Sequence, residues 1–157
     1  MEVAIEFAYT GFLCLEKVDN MLDFIRDADF LKIDDIKEEA IKIFLSHLNP
    51  LNAVEAYFLS STYSSVLLKE ESKKIILENF ENVSKTNEFL KIEFDSLKEI
   101  LTNNPKIECT EKIFEGVIRW IVQSLETRRK YLMDICGIIQ FGNADINMVV
   151  RIATQYM

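Results

Sequence analysis

The chain has 157 residues, 49% of them hydrophobic and 28% charged, which suffices for a packed core beneath a solvated surface and argues against disorder. A net charge of −8 with no basic stripe disfavours nucleic acid and anionic membranes as partners. Only 4 Gly and 2 Pro are present, fewer turn residues than all-β or dinucleotide-binding folds usually need, so an all-α fold is expected.

In chain order, residues 2–9 read as the end of a helix, and Phe12-Leu13-Cys14-Leu15, after Gly11, as a short strand or extended link. Helices are expected over 18–31 and 34–48. In the first, Phe24, Ala28 and Leu31 form one apolar line, while Val18, Leu22 and Ile25 form a second. The next repeats this, with Ile36, Ala40, Ile43 and Phe44 on one side and Ile41, Leu45 and Leu48 on the other. Helices apolar on so much of their circumference need neighbours on two sides. If each left ~200 Å² uncovered, roughly 5 kcal/mol of burial per helix would be forgone. Residues 1–48 are therefore expected to be the least stable part of the chain, or to self-associate.

Asn49-Pro50-Leu51-Asn52 is the clearest break, because proline disfavours helix in the residue before it. Asn52 with Glu55 three residues on has the spacing of a capping box. Shorter helices are expected beyond it, over 52–62, 65–81, 84–90, 94–103, 110–124, 127–139 and 144–156, with Thr110 as an N-cap. Short connections favour an antiparallel stack of helix pairs. In 110–124, Ile113, Val117 and Ile121 line one face, with Phe114, Ile118 and Trp120 beside it.

Candidate chemistry is sparse. The one histidine, His47, stands at an expected helix C-terminus, where the helix dipole favours it. Cys14, Cys109 and Cys136 are odd in number and widely spaced, which fits small core residues in a reducing compartment better than a disulfide framework or a metal site. There is no Gly-x-Ser-x-Gly elbow and no Gly-rich phosphate loop. Asp34-Asp35 and Glu38-Glu39 suit the first turn of a helix. Glu70-Glu71 ahead of Lys73-Lys74 gives solvent-facing pairs, and Arg128-Arg129-Lys130 a solvated helix start. No enzyme activity, cofactor or metal is expected. No apolar run reaches ~18 residues without a charge, and the first residues lack a basic leader, so the cytoplasm or the nucleus is the expected location.

Several stretches, in order, resemble one family. Phe7-Ala8-Tyr9-Thr10-Gly11 is similar to the signature near the end of BTB domains, and Asn20 to Ile33 to the helix that follows it. Leu48-Asn49-Pro50-Leu51-Asn52-Ala53 resembles the start of a BACK domain. Ile75 to Val83, Glu88-Phe89-Leu90, Glu111 to Trp120, Arg128 to Leu132 and Ile138 to Phe141 resemble its later motifs. The resemblance, to kelch-like BTB-BACK proteins, covers nearly the whole chain. It implies the C-terminal remnant of a BTB domain over 1–48 and a BACK domain over 49–157. It also implies a non-catalytic substrate adaptor of a cullin-3 ubiquitin ligase, incomplete at both ends. The first half of BTB, with its dimer-forming elements and its principal cullin anchor, and the kelch repeats have no counterpart in these residues. By the same resemblance Tyr9 faces the cullin, and the three-box, about residues 50–80, carries Asn52, Tyr57 and Ser61 near its exposed side, with Tyr57 and Phe58 alternatively in the core. The competing reading is an oligomerisation scaffold of the same architecture that does not bind cullin.

Overall fold

The structure, a computed structural model, describes residues 18–30, 32, 34–102, 111–139, 151 and 154, apart from the side chains of 18–20, 22 and 23. The expected elements at 2–9, 12–15 and 144–156, the Thr110 cap, Cys14 and Cys109 lie outside the described residues or, for 144–156, almost wholly so. The described residues form helices joined by short turns, and the fold is all-α.

Helices α1 (Val18–Phe30) and α2 (Asp34–Ser46) form the first hairpin. Lys37 bridges them, with Nζ 3.2 Å from Asp29 and 3.0 Å from Asp34. At the end of α2, His47 Nδ1 lies 3.1 Å from the Ile43 carbonyl oxygen, in keeping with the helix-terminal role expected of it. The Asn49-Pro50 break is built as an asparagine-braced turn. Asn49 Oδ1 accepts from the Leu51 amide at 2.9 Å, and Asn52 Oδ1 accepts from the Asn49 amide at 2.7 Å. Both side-chain amides donate to the His47 carbonyl at 3.1 Å.

Helix α3 (Ala53–Thr62) follows, and here the capping-box expectation is corrected. Asn52 stands at the N-cap, but its backbone is already right-handed helical and its side chain makes no cap bond. It is committed backwards, to the turn. Helix α4 (Val66–Glu78) is capped instead by Ser65, whose hydroxyl accepts from the Leu68 amide at 3.3 Å, after Ser64 turns the chain with φ of 52°.

The expected helix 65–81 breaks at Asn79, whose φ of −119° and ψ of 28° leave the helical region and separate α4 from the single turn α5 (Phe80–Val83). Thr86, in an extended conformation, caps the short α6 (Asn87–Leu90), which explains why the helix expected from residue 84 starts three residues later. Then come α7 (Phe94–Thr102) and α8 (Glu111–Gln123). The expected helix 127–139 is divided into α9 (Leu125–Arg128), a 3-10 turn (Arg129–Tyr131) and α10 (Leu132–Ile138). Arg128 is not a solvated helix start. It lies 4.2 Å over the Trp120 ring and donates to the Trp120 and Leu90 carbonyls at 2.7 and 2.9 Å, satisfying helix-end acceptors that would otherwise lack partners.

The apolar side chains form two clusters. The larger is C-terminal to the break. It joins Ala53, Val54 and Tyr57 of α3 to Ile76, Phe80, Phe89, Leu97, Ile100 and the buried face of α8, including every apolar position expected there. Trp120 is buried within it, and its indole N–H donates to the Ile92 carbonyl at 2.8 Å. The smaller cluster joins Met21, Phe24, Ile25 and Ala28 of α1 and Ile36, Ala40, Ile41 and Phe44 of α2 to Ala56, Tyr63 and Leu68. Of the second apolar lines expected on α1 and α2, the side chains of Val18 and Leu22 lie outside the described residues, and Leu45 and Leu48 are half-buried. Ile25 and Ile41, from the same lines, are buried in the cluster that α1 and α2 share with Ala56, Tyr63 and Leu68. Phe30, at the end of α1, is the exception, at 76% exposed.

Gly116 marks a close approach of α8 to Phe80 and Ser84. A Cβ there would stand 2.7 Å from the Phe80 ring and 2.7 Å from Ser84 Cβ. Overpacking of this kind costs roughly 1–3 kcal/mol, against about 1 kcal/mol gained from alanine's helix propensity. Gly116→Ala should therefore lower the urea midpoint followed by Trp120 fluorescence.

Candidate partner-binding face

Helix α3 is covered on both flanks, so a narrow outer stripe is all that remains to meet another molecule. Leu51, Glu55, Phe58 and Thr62 follow one another at helical spacing along it, and all four are exposed. Leu51, in the turn before the Asn52 N-cap, is 78% exposed, and Phe58, on α3, is 39% exposed. The Phe58 ring also meets the Tyr57 ring edge-on, with centroids 6.1 Å apart. Beside the stripe, a groove of about 490 Å³ runs between α2 and the α3–α4 turn. Its walls mix charge (Asp34, Lys37, Glu38) with apolar side chains (Ile41, Val66, Leu67).

Beneath the face lies a polar network that the sequence pattern did not suggest. Tyr57 is only 2% exposed, and its hydroxyl donates to Glu99 Oε2 at 2.9 Å. Glu99, from α7, also receives Lys69 at 2.8 Å and Lys73 at 2.7 Å from α4, and Lys73 pairs further with Glu70 at 3.1 Å. At 4% exposure Lys73 is buried, so the expectation of a solvent-facing pair is corrected: a carboxylate from another helix draws it inward. Burial pulls against charge at both Lys73 and Glu99. At Lys73 burial would lower the pKa, but hydrogen bonds to Glu99 and Glu70 prevail and raise it. At Glu99 burial would raise it, but hydrogen bonds from Lys69, Lys73 and Tyr57 prevail and hold it at about 2. Burial, then the hydrogen bond to Glu99, pushes the Tyr57 phenol up to about 12.

Of the residues singled out in the sequence, Ser61 is exposed at the end of α3, just off the outer stripe. Asn52 is half-buried, with both ends of its amide engaged in the turn. Tyr57 is in the core, so its placement near the exposed side is corrected. Periodicity alone could have shown this, since Tyr57 follows Ala53 and Val54 onto the same face. Tyr9 lies outside the described residues. Phe58, left open between surface and core in the sequence, is exposed, and Leu51 was not singled out there, because exposure of an apolar side chain leaves no mark in the sequence. No group of three or more His, Cys, Asp or Glu among the described residues could hold a metal ion. Burial raises the Cys136 thiol, which disfavours the reactive thiolate. No helix among the described residues is long and apolar enough to cross a membrane.

The model of the BACK family, BTB And C-terminal Kelch, matches residues 53–151, from the first residue of α3 onward. The chain belongs to the kelch-like BTB-BACK family. Kelch repeat and BTB domain-containing protein 8 of Mus musculus is 27% identical over 158 residues, 99% of this chain and 26% of that protein. Kelch-like protein 28 of Homo sapiens is 26% identical over 153 residues, 97% of this chain and 27% of its own length. Kelch-like protein 9 of Mus musculus is 31% identical over 118 residues, 74% of this chain and 19% of that protein. The chain thus spans about a quarter of the length of the first two relatives. Glu55, Phe58 and Thr62 of the outer stripe lie at the start of the family match, while Leu51 and the α2 wall of the groove precede it.

The network predicts a pH dependence at both extremes. Because the Glu99 pKa is depressed from 4.5 to about 2, its stabilising contribution is complete above pH 4.5 and fades as pH falls through about 2. Because the Tyr57 pKa is raised from 10.0 to about 12, its contribution is complete below pH 10.0 and fades as pH rises through about 12. Urea unfolding across pH should show the wild-type advantage over Glu99→Gln shrinking at the acid end. The alkaline decline should be weaker in Tyr57→Phe.

Proposed function

We propose that the chain is a non-catalytic adaptor module that docks on the cullin-3 scaffold of a ubiquitin ligase through the outer face of α3 and the groove beside it. The observation that carries this reading is the exposure of Leu51, in the turn that leads into α3, and of Phe58, on α3 itself. That helix opens the region, residues 50–80, that the family resemblance assigns to the cullin contact. Apolar groups on a narrow stripe, with Glu55 between them and Thr62 beyond, form the kind of patch that is buried on binding while the rim stays wet. Membership of the family and the kelch-like relatives support an adaptor rather than an enzyme. Ser61 and Asn52 take rim positions in this reading and Tyr9 a contact next to the face, while Tyr57 acts from beneath by holding α3 in place. The cytoplasm or nucleus is where such a module would work.

The experiment is a pull-down of the whole chain with the N-terminal region of cullin-3. Truncating a central apolar contact commonly costs 1–2 kcal/mol or more, about a tenfold loss of affinity per 1.4 kcal/mol. Phe58→Ala together with Leu51→Ala should therefore weaken capture at least tenfold, and Ser61→Arg should weaken it further. The exposed Glu126→Gln, on α9, away from the groove, should leave it within a few-fold of wild type. Absence of binding by the intact chain, with self-association through residues 1–48 seen by sedimentation instead, would favour the oligomerisation scaffold. Phe30, exposed at the end of α1, is the residue whose substitution by Ser should then dissolve the oligomer.

A further inference from the structure

We infer that the α1–α2 hairpin acts as a clamp on α3, so that the two apolar clusters open together as one cooperative unit rather than as two independent parts. The family match begins at Ala53, and a chain read by that boundary alone would treat residues 18–46 as a separate appendage. The packing joins them. Ala53, Val54 and Tyr57 of α3 enter the larger cluster, while Ala56, Tyr63 at its C-cap and Leu68 at the start of α4 enter the smaller one with Phe24, Ala40 and Phe44.

A ten-residue helix such as α3 is too short to persist in water, where isolated helices below ~12–15 residues are marginal. It is held by burial on its two flanks. If the hairpin lifts away, Ala56, Tyr63 and Leu68 meet water and α3 loses one of its supports. The other support suffers in turn, because Tyr57, on the same ten residues, both packs into the larger cluster and donates to Glu99. Glu99 then keeps its two lysines but loses its neutral hydrogen-bond donor. Loss of the hairpin is thus transmitted through α3, and through the direct contact of α2 with α4, to α7 and the cluster around Trp120. It also removes one wall of the groove, since Asp34, Lys37, Glu38 and Ile41 are hairpin residues. The consequence for partner docking rests on the function proposed above. The cooperativity does not.

The test follows two reporters in the whole chain. Trp120, the single tryptophan, reports on the larger cluster by fluorescence during urea unfolding. Amide hydrogen exchange compares α2 with α8. Phe44→Ala and the gentler Ile41→Val weaken only the smaller cluster, and Lys42→Ala, on the exposed side of α2, is the control. The Trp120 midpoint should fall in both cluster variants, more in Phe44→Ala, and the protection of α2 and α8 amides should fall by equal factors, with no shift in the control. A Phe44→Ala chain whose Trp120 emission is already at its unfolded position supports the clamp as well. A Trp120 midpoint unchanged in both variants, with protection lost in α2 alone, overturns it. No partner takes part, so a failure here is distinct from a failure to bind cullin-3.

Discussion

Burial of α3 from both sides is the constraint on which the rest of this structure depends. A helix with one apolar face can sit at the edge of a core, but one with apolar residues on both flanks has to be enclosed. Ala53, Val54 and Tyr57 ask for one set of neighbours, Ala56 and Tyr63 for another. The chain supplies them in sequence order, with the α1–α2 hairpin before α3 and α4 to α8 after it. Alanine at positions 53 and 56 also allows the neighbouring helices to approach closely. The single stripe left over is the candidate docking face, so the position of that face is a result of the packing.

The polar network under α3 supports the same arrangement. A lysine as buried as Lys73 would be costly alone, and a carboxylate between helices would be costly too. Together, with Tyr57 and Lys69, they satisfy one another across three helices. Such a network depends on geometry, since removing Glu99 leaves Lys73 buried without full compensation. It therefore favours one relative placement of α3, α4 and α7, where apolar contact alone would tolerate several. The Arg128 contacts do the same for the ends of α6 and α8, tying two helix-end carbonyls to one guanidinium.

Much of this was legible in the residues. The all-α fold, the break at Asn49-Pro50 and the apolar face of 110–124 follow from hydrophobic periodicity and proline stereochemistry, which act over a few residues and need no partner. The family was legible as well, because its motifs occur in order along the chain. Boundaries were less so. Asn79 and the 129–131 turn interrupt patterns that remain periodic across them, and the fault shows only in backbone angles. The over-apolar character of α1 and α2 was read correctly as a demand for neighbours on two sides, but those neighbours were sought outside the chain. Ala56, Tyr63 and Leu68 supply part of that cover, and no periodicity within α1 or α2 could point to them.

By itself the sequence determined the local structure and the family, because helix propensity, capping and motif order are properties of neighbouring residues. Tertiary structure decided which residues face outward. Tyr57 and Phe58 were both open between surface and core, and the first is enclosed while the second is exposed; Lys73 looked solvated and is buried beside Glu99. Each of these outcomes turns on a contact between residues far apart in the chain, Tyr57 with Glu99 and Ala56 with the hairpin among them. The apolar pattern of one helix states how much surface must be buried. Which side is covered, and by what, is settled only when the other helices are in place.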